Sequence, residues 1–205
     1  LRFFINKYSN LSDNKLSEHI YSQYPWFTIN AAKIEKRRSM RPKASNLVYT
    51  VGYEGLQIDT FLNLMLKKGI EQVIDVRSNP VSRQYGYHKV TLMGLCNNLS
   101  IKYLHYPELG ITSNRRKRIE ESETLQQLLL WYRNNVEANN RQSILSVEDE
   151  IKKKPSVLLC MEADPNQCHR SRLAEIISRE TGLMIYDLRR NICKTTLRKP
   201  EFLLL

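Results

Sequence analysis

Glycine and proline are scarce, seven of each in 205 residues, which excludes collagen-like and low-complexity chains. Cysteine is scarce as well. Cys96, Cys160, Cys168 and Cys193 are too few for a dense disulfide framework at this length, so a reduced, cytoplasmic setting is expected. No apolar run approaches the ~20 residues that span a bilayer, so an integral membrane protein is excluded and no membrane partner is expected. No basic, apolar leader opens the chain, so export is not expected. Because the sequence opens on Leu1 rather than Met, a segment upstream of it is held open.

Negative charge is also in the minority. Asp and Glu number 21 against 32 Lys and Arg, a net charge of +11. That excess favours a polyanionic partner, since charge steers encounter. Nucleic acid is the expected partner, DNA ahead of RNA, against the plain alternative of a merely basic surface. A homodimer is held open beside it. Hydrophobic residues make up 41%, enough for a globular body with a core of its own.

The pattern divides the chain into four stretches. Residues 1–32 form a helical N-terminal segment. Ser12 or Asp13 caps its helix, Leu16, Ile20 and Tyr24 make its apolar stripe, and Pro25 ends it. Residues 33–46 are a basic linker with Lys33, Lys36, Arg37, Arg38, Arg41 and Lys43, either a solvated connector or an arm that touches phosphates. Residues 47–188 alternate strand and helix. Strands are expected at 47–51, 72–76, 101–105, 156–161 and 184–188. Helices are expected at 59–68, near 89–99, over 122–153 in two pieces, and at 170–181. Residues 189–205 are a basic tail ending in Phe202-Leu203-Leu204-Leu205, which docks on the body or on a partner. The alternation predicts an α/β fold: a mainly parallel sheet of about five strands flanked by helices, with a short helical N-terminal appendage.

In such sheets ligands sit beyond the carboxyl ends of the strands. The unusual residues of this chain collect there. Strand one ends in Gly52-Tyr53-Glu54-Gly55, strand two in Asp75-Val76-Arg77-Ser78-Asn79-Pro80, strand three in His105-Tyr106-Pro107-Glu108-Leu109-Gly110, and strand four in Cys160-Met161-Glu162-Ala163-Asp164-Pro165. If these ends build a single site, Asp75, Arg77, Glu108, Glu162 and His169 share one pocket.

Each feature has a structural and a chemical reading. Asp75 and Arg77 share a strand face, as a structural ion pair or as an anion clamp with Asp75 orienting it or acting as a base. Arg83, Tyr85, Tyr87 and His88 make a basic, aromatic loop that suits phosphates and bases, or an ordinary polar loop. Arg115-Arg116-Lys117-Arg118 is a solvated helix start or a phosphate contact.

Cys168-His169-Arg170-Ser171 opens a helix. A thiol there, beside His and Arg, is expected to ionise easily, which makes Cys168 a candidate nucleophile; the alternative is a buried structural thiol. Ala174 rules out the Cys-x5-Arg cradle of tyrosine-phosphatase chemistry. Asp75-Val76-Arg77 is similar to a strand end of the rhodanese fold, but a single long active-site loop is not evident. Cys160, Cys168 and His169, with Glu162 or His105, make a zinc or iron set by residue type. Cys160-x7-Cys168 is not a standard zinc spacing, so no metal ligand is assigned and the cofactor stays unknown.

Val51-Gly52-Tyr53-Glu54-Gly55, Ile74-Asp75-Val76-Arg77-Ser78-Asn79-Pro80, Pro107-Glu108-Leu109-Gly110, and Cys160 to Pro165 followed by Cys168-His169-Arg170-Ser171 together resemble the domain of unknown function 488 family over roughly residues 47–188. The resemblance implies a bacterial or archaeal intracellular α/β protein, and it names a fold rather than a reaction. Longer relatives carry an upstream winged-helix-like module. On that resemblance Leu11 to Asn30 is similar to its connecting tail, which strengthens the expectation of DNA association.

Three functions are weighed. The first is a nucleic-acid-associated enzyme, with Asp75, Glu108, Glu162, Cys168 and His169 as catalytic candidates. Its substrate-binding candidates are Gly52, Tyr53, Arg77, Ser78, Arg83, His105, Cys160 and Arg170. The second is a non-catalytic DNA-binding or regulatory module. The third is a thiol- or metal-dependent enzyme acting on a small anionic molecule.

Overall fold

The computed structural model describes residues 5, 7–30, 41–121 and 124–189. Most of the basic linker, 33–40, and all of the C-terminal tail except Arg189 lie outside the described residues.

The N-terminal segment holds α1 (Asp13–Gln23), with Ser12 at its N-cap position and Tyr24 at its end, just before Pro25. A 3-10 turn, Pro25–Asn30, follows. The Trp26 amide donates to Asn63 Oδ1 at 2.9 Å, which ties this turn to the main body.

The body alternates as the pattern predicts. Its order is β1 (Val48–Gly52), α2 (Ile58–Lys67), β2 (Gln72–Asp75), α3 (Lys89–Asn98), β3 (Lys102–His105), α4 (Ser113–Glu121), α5 (Leu125–Lys153), β4 (Ser156–Cys160), α6 (His169–Thr181) and β5 (Ile185–Asp187). α5 starts at a capping box built by Thr124 and Gln127. It kinks at Asn140, whose backbone is non-helical, so the expected two pieces are present as one bent element. Gly182, at φ 73°, ends α6 in the left-handed conformation that favours glycine. Among the described residues no helix is long and apolar enough to cross a membrane.

All five strands are parallel, in the order β3-β2-β4-β1-β5. The chain first moves outward through β2 and β3. It then returns through α4 and α5 to insert β4 between β2 and β1. β4 is buried along its whole length, which explains its unbroken apolar run Val157-Leu158-Leu159.

Side chains alternate across the sheet and feed two cores. One face gathers Tyr49, Val51, Val73, Val157 and Leu159 under residues of α2 and α3. The other gathers Val48, Ile74, Val76, Leu158 and Cys160 under residues of α5 and α6. The helices after β1 and β2 thus cover one face, and the helix after β4 covers the other. This change of covering face falls beside the carboxyl end of β4, the kind of position where open α/β sheets take their ligands.

Two devices hold that end together. Gly52, the last residue of β1, faces the Glu162 carbonyl so closely that a Cβ would lie 1.8 Å from its oxygen. Arg170, fully buried on α6, donates to the Glu162 carbonyl at 2.5 Å and the Ala163 carbonyl at 3.3 Å, and pairs with Asp187 of β5 at 3.2 Å. Arg170→Met leaves two carbonyls without their donor and the buried Asp187 carboxylate without its cation, held only by Thr50 Oγ1 and the Arg189 amide. It is expected to lower stability in urea denaturation by about 3–5 kcal/mol. A loss no larger than that of an exposed-site change, about 0.5 kcal/mol, would show the tie to be dispensable.

Candidate functional site

The residues expected to share one pocket fall into two clusters, because the sheet runs between them. Asp75 is paired in register with Leu159, so the next residue of β4, Cys160, points to the opposite face. Glu108 joins neither cluster. It is exposed on the 3-10 turn Pro107–Leu109 and accepts from Ser143 Oγ at 2.5 Å.

The first cluster is closed. Arg77 Nε and Nη2 reach both oxygens of Asp75 at 2.5–3.0 Å, Nη1 donates to the Tyr87 carbonyl at 2.9 Å, and Tyr53 Oη lies 3.2 Å from Nη1. Tyr103 Oη donates to Asp75 at 2.5 Å, and the Tyr53 ring stacks on Tyr87 at 4.2 Å. Burial works against the Arg77 charge, but the Asp75 carboxylate outweighs it and holds the guanidinium above its ordinary pKa. With every guanidinium nitrogen engaged, Arg77 is not placed to clamp a ligand, and Asp75, wholly buried, is not placed to act as a base. The structural ion pair is the arrangement found.

Around it, His105 Nε2 meets the Arg77 carbonyl at 2.9 Å and Nδ1 meets Lys89 Nζ at 3.0 Å. Ser78 backs onto Gly110, where a Cβ would lie 2.1 Å from the Ser78 nitrogen. Arg83 is exposed on the loop leading to α3.

The second cluster is the one with chemistry at an opening. Cys160 ends β4, Glu162 lies in the following loop, Cys168 is the N-cap residue of α6 and His169 is its first residue. The 3-10 turn Pro165–Gln167, held by Asp164 accepting from the Asn166 amide, folds the chain back and erases the separation in sequence. Donor atoms of all four residues lie within 4.8 Å of one another.

Both thiols donate to Glu162 Oε2, at 3.0 and 2.9 Å, while Arg116 of α4 donates to Oε1 at 2.7 Å. Burial opposes ionisation of Glu162, yet the two thiol hydrogen bonds and the guanidinium hold its carboxyl at about 2. Cys160, Cys168 and His169 are buried; Glu162 and Arg116 keep 17% and 41% of their side chains exposed and form the mouth. His169 Nε2 lies 3.0 Å from the Val76 carbonyl, and its ring meets Tyr132 edge-on at 5.2 Å.

The expectation of an easily ionised Cys168 needs correction. Burial, with Cys160 beside it, pushes the Cys168 thiol well up, and these outweigh His169. A helix N-terminus favours the thiolate, but here exclusion of water disfavours it more. Arg170, for its part, spends its Nη atoms on the β4 loop and β5.

With this geometry in hand, a family model described as Domain of unknown function DUF488 matches residues 57–177, more than half of the chain. The chain belongs to this family. The DUF488 match spans α2 through most of α6, so it includes the whole second cluster and all of the first except Tyr53, but not the Gly52 turn. No curated protein and no solved structure matches the chain.

Sequence reasoning missed Arg116 as the partner of Glu162, and Tyr103 as that of Asp75. Arg116 stood in a run of four basic residues with nothing to single it out. Tyr103 is legible only once β3 is known to lie beside β2. Tyr103→Phe is expected to cost about 1.5–3 kcal/mol in chemical denaturation, as a hydrogen bond to a buried charge. In native protein Cys96, Cys160 and Cys168 are expected to resist iodoacetamide and to react on unfolding, since each is at most 1% exposed. Rapid native labelling of Cys168, read by peptide mass spectrometry, would restore it as a candidate nucleophile.

Proposed function

We propose that this DUF488 protein is an enzyme acting on a phosphate-bearing substrate, nucleic acid and DNA before RNA, at the mouth formed by Glu162 and Arg116. One observation carries the reading: a partly exposed, ionised carboxylate with one oxygen on a basic helix and the other on two thiols beside a histidine. In this reading Glu162, held ionised, accepts a proton as the base and not as the acid, and Arg116 and exposed Lys117 of α4 meet phosphate oxygens. The net charge of +11 supports a polyanion as the source of those phosphates.

The test incubates the protein with labelled single- and double-stranded DNA and RNA at low and moderate salt. Binding is expected to weaken as salt rises, because phosphate contacts release counterions. Lys117→Ala, at an exposed position of α4, is expected to weaken binding on all sequences and to reduce the salt slope by about 1. Glu162→Gln is expected to slow product formation by roughly 10²–10⁴-fold. Salt-independent binding would remove nucleic acid. Salt-sensitive binding with no product in any substrate would leave the non-catalytic module.

A further inference from the structure

We propose that Cys160, Cys168, His169 and Glu162 form a mononuclear zinc site. The inference goes beyond the nucleic-acid reading and does not depend on it; with zinc bound, Glu162 is a ligand rather than the base, and phosphate binding by the basic helix is what the two readings share.

Donor type comes first. Two thiols, an imidazole and a carboxylate are an S2NO set, which suits a borderline-soft divalent ion such as zinc rather than magnesium or calcium. Four ligands are also the number a tetrahedral zinc site takes.

Spacing comes next. Zinc bonds of about 2.0–2.3 Å imply ligand-to-ligand edges of about 3.3–3.8 Å in a tetrahedron. Cys160 Sγ lies 3.8 Å from His169 Nδ1, and the thiols lie 3.0 and 2.9 Å from Glu162 Oε2. These three edges are within about 0.6 Å of tetrahedral values, and all four donors lie within 4.8 Å of one another, so side-chain shifts of up to about 1 Å complete the tetrahedron.

The surroundings decide the orientation of each ligand. His169 Nε2 lies 3.0 Å from the Val76 carbonyl, which places the proton on Nε2 and leaves Nδ1 as the nitrogen to bind metal; Cys160 Sγ stands 3.8 Å from Nδ1 and 3.9 Å from Nε2, so the ring turns on its side-chain bonds to aim Nδ1 at the ion. Arg116 holds Glu162 Oε1, so Oε2 is the oxygen that faces the sulfurs. Metal-binding histidines and carboxylates are oriented by this kind of outer contact. Zinc with two thiolates and one carboxylate carries one net negative charge, which Arg116 at the mouth opposes. The surrounding cluster is aliphatic, with Val76, Leu109, Ile111 and Leu173, and packing there gives no reason for two thiols and a carboxylate to meet. Glu162, the least buried of the four, is the ligand nearest solvent.

The experiment strips the full chain of metal under reducing conditions and titrates it with cobalt, then zinc. The expected result is one cobalt per chain, with tetrahedral visible bands and a thiolate-to-cobalt absorption in the near ultraviolet, both abolished by zinc. Cys160→Ser and Cys168→Ser are each expected to lose the thiolate absorption and to weaken metal binding by at least about 10–100-fold, the range known for outer-contact changes alone. Circular dichroism checks that they fold. If they do not, X-ray absorption at the zinc edge of the wild-type protein is expected to show two sulfur scatterers at about 2.3 Å and two lighter ones. No stoichiometric uptake, bands that persist in both serine variants, or a zinc shell without sulfur would each overturn the proposal. Loss of nucleic-acid binding with zinc uptake intact would overturn only the function proposed above.

Discussion

The close approach of the β4 loop to the end of β1 is the constraint on which the rest of this end of the molecule depends. Only a residue without a side chain lets the Glu162 carbonyl settle over Gly52. Arg170 then captures that carbonyl and the next one and ties both to Asp187. The β4 loop is thereby fixed before any side chain of the site is considered. Its fixed path is what brings Glu162 over Cys160 and returns the chain to Cys168 and His169. A larger residue at position 52 would push the loop, and with it the carboxylate, away from the thiols.

The two buried charge systems flanking β4 do different work. On one face Asp75, Arg77 and Tyr103 satisfy one another completely and open to nothing. Such a pair is weak evidence for net stability, because desolvation offsets much of its attraction, but removing one partner is costly. Its geometric effect is clearer: it holds the β2 carboxyl end and the Tyr87 loop in one arrangement. On the other face the carboxylate of Glu162 is shared between a buried pair of thiols and a half-exposed guanidinium. The closed system shapes the wall, and the open one has donors left to offer. The Val76 carbonyl, between Asp75 and Arg77, accepts from His169 and joins the two.

Much of the fold was legible from the chain alone, for reasons that particular elements make plain. β-Branched and aromatic residues marked β1, Val73 and Ile74 marked β2, and the short apolar run at 156–161 marked β4 as a buried parallel strand. Gly182 marked the end of α6, because it needs a left-handed backbone there. The site was legible only by composition. Cys160, Glu162, Cys168 and His169 were each singled out, but the seven-residue gap between the cysteines argued against a metal set. A 3-10 turn closes that gap, and a spacing rule drawn from tighter loops does not foresee it.

Residue chemistry and local periodicity were therefore determined by the sequence itself: an α/β chain of five strands, a surplus of positive charge, and reactive residue types gathered at the strand ends. Which of those residues meet was decided by tertiary structure alone. Strand order and register put Asp75 and Cys160 on opposite faces of the sheet, and a one-residue difference in register would have put them on the same one. Burial reversed the expected acidity of Cys168. Arg116 found Glu162 across 46 residues of chain because α4 lies over the mouth. Each depends on long-range packing, which local pattern does not encode.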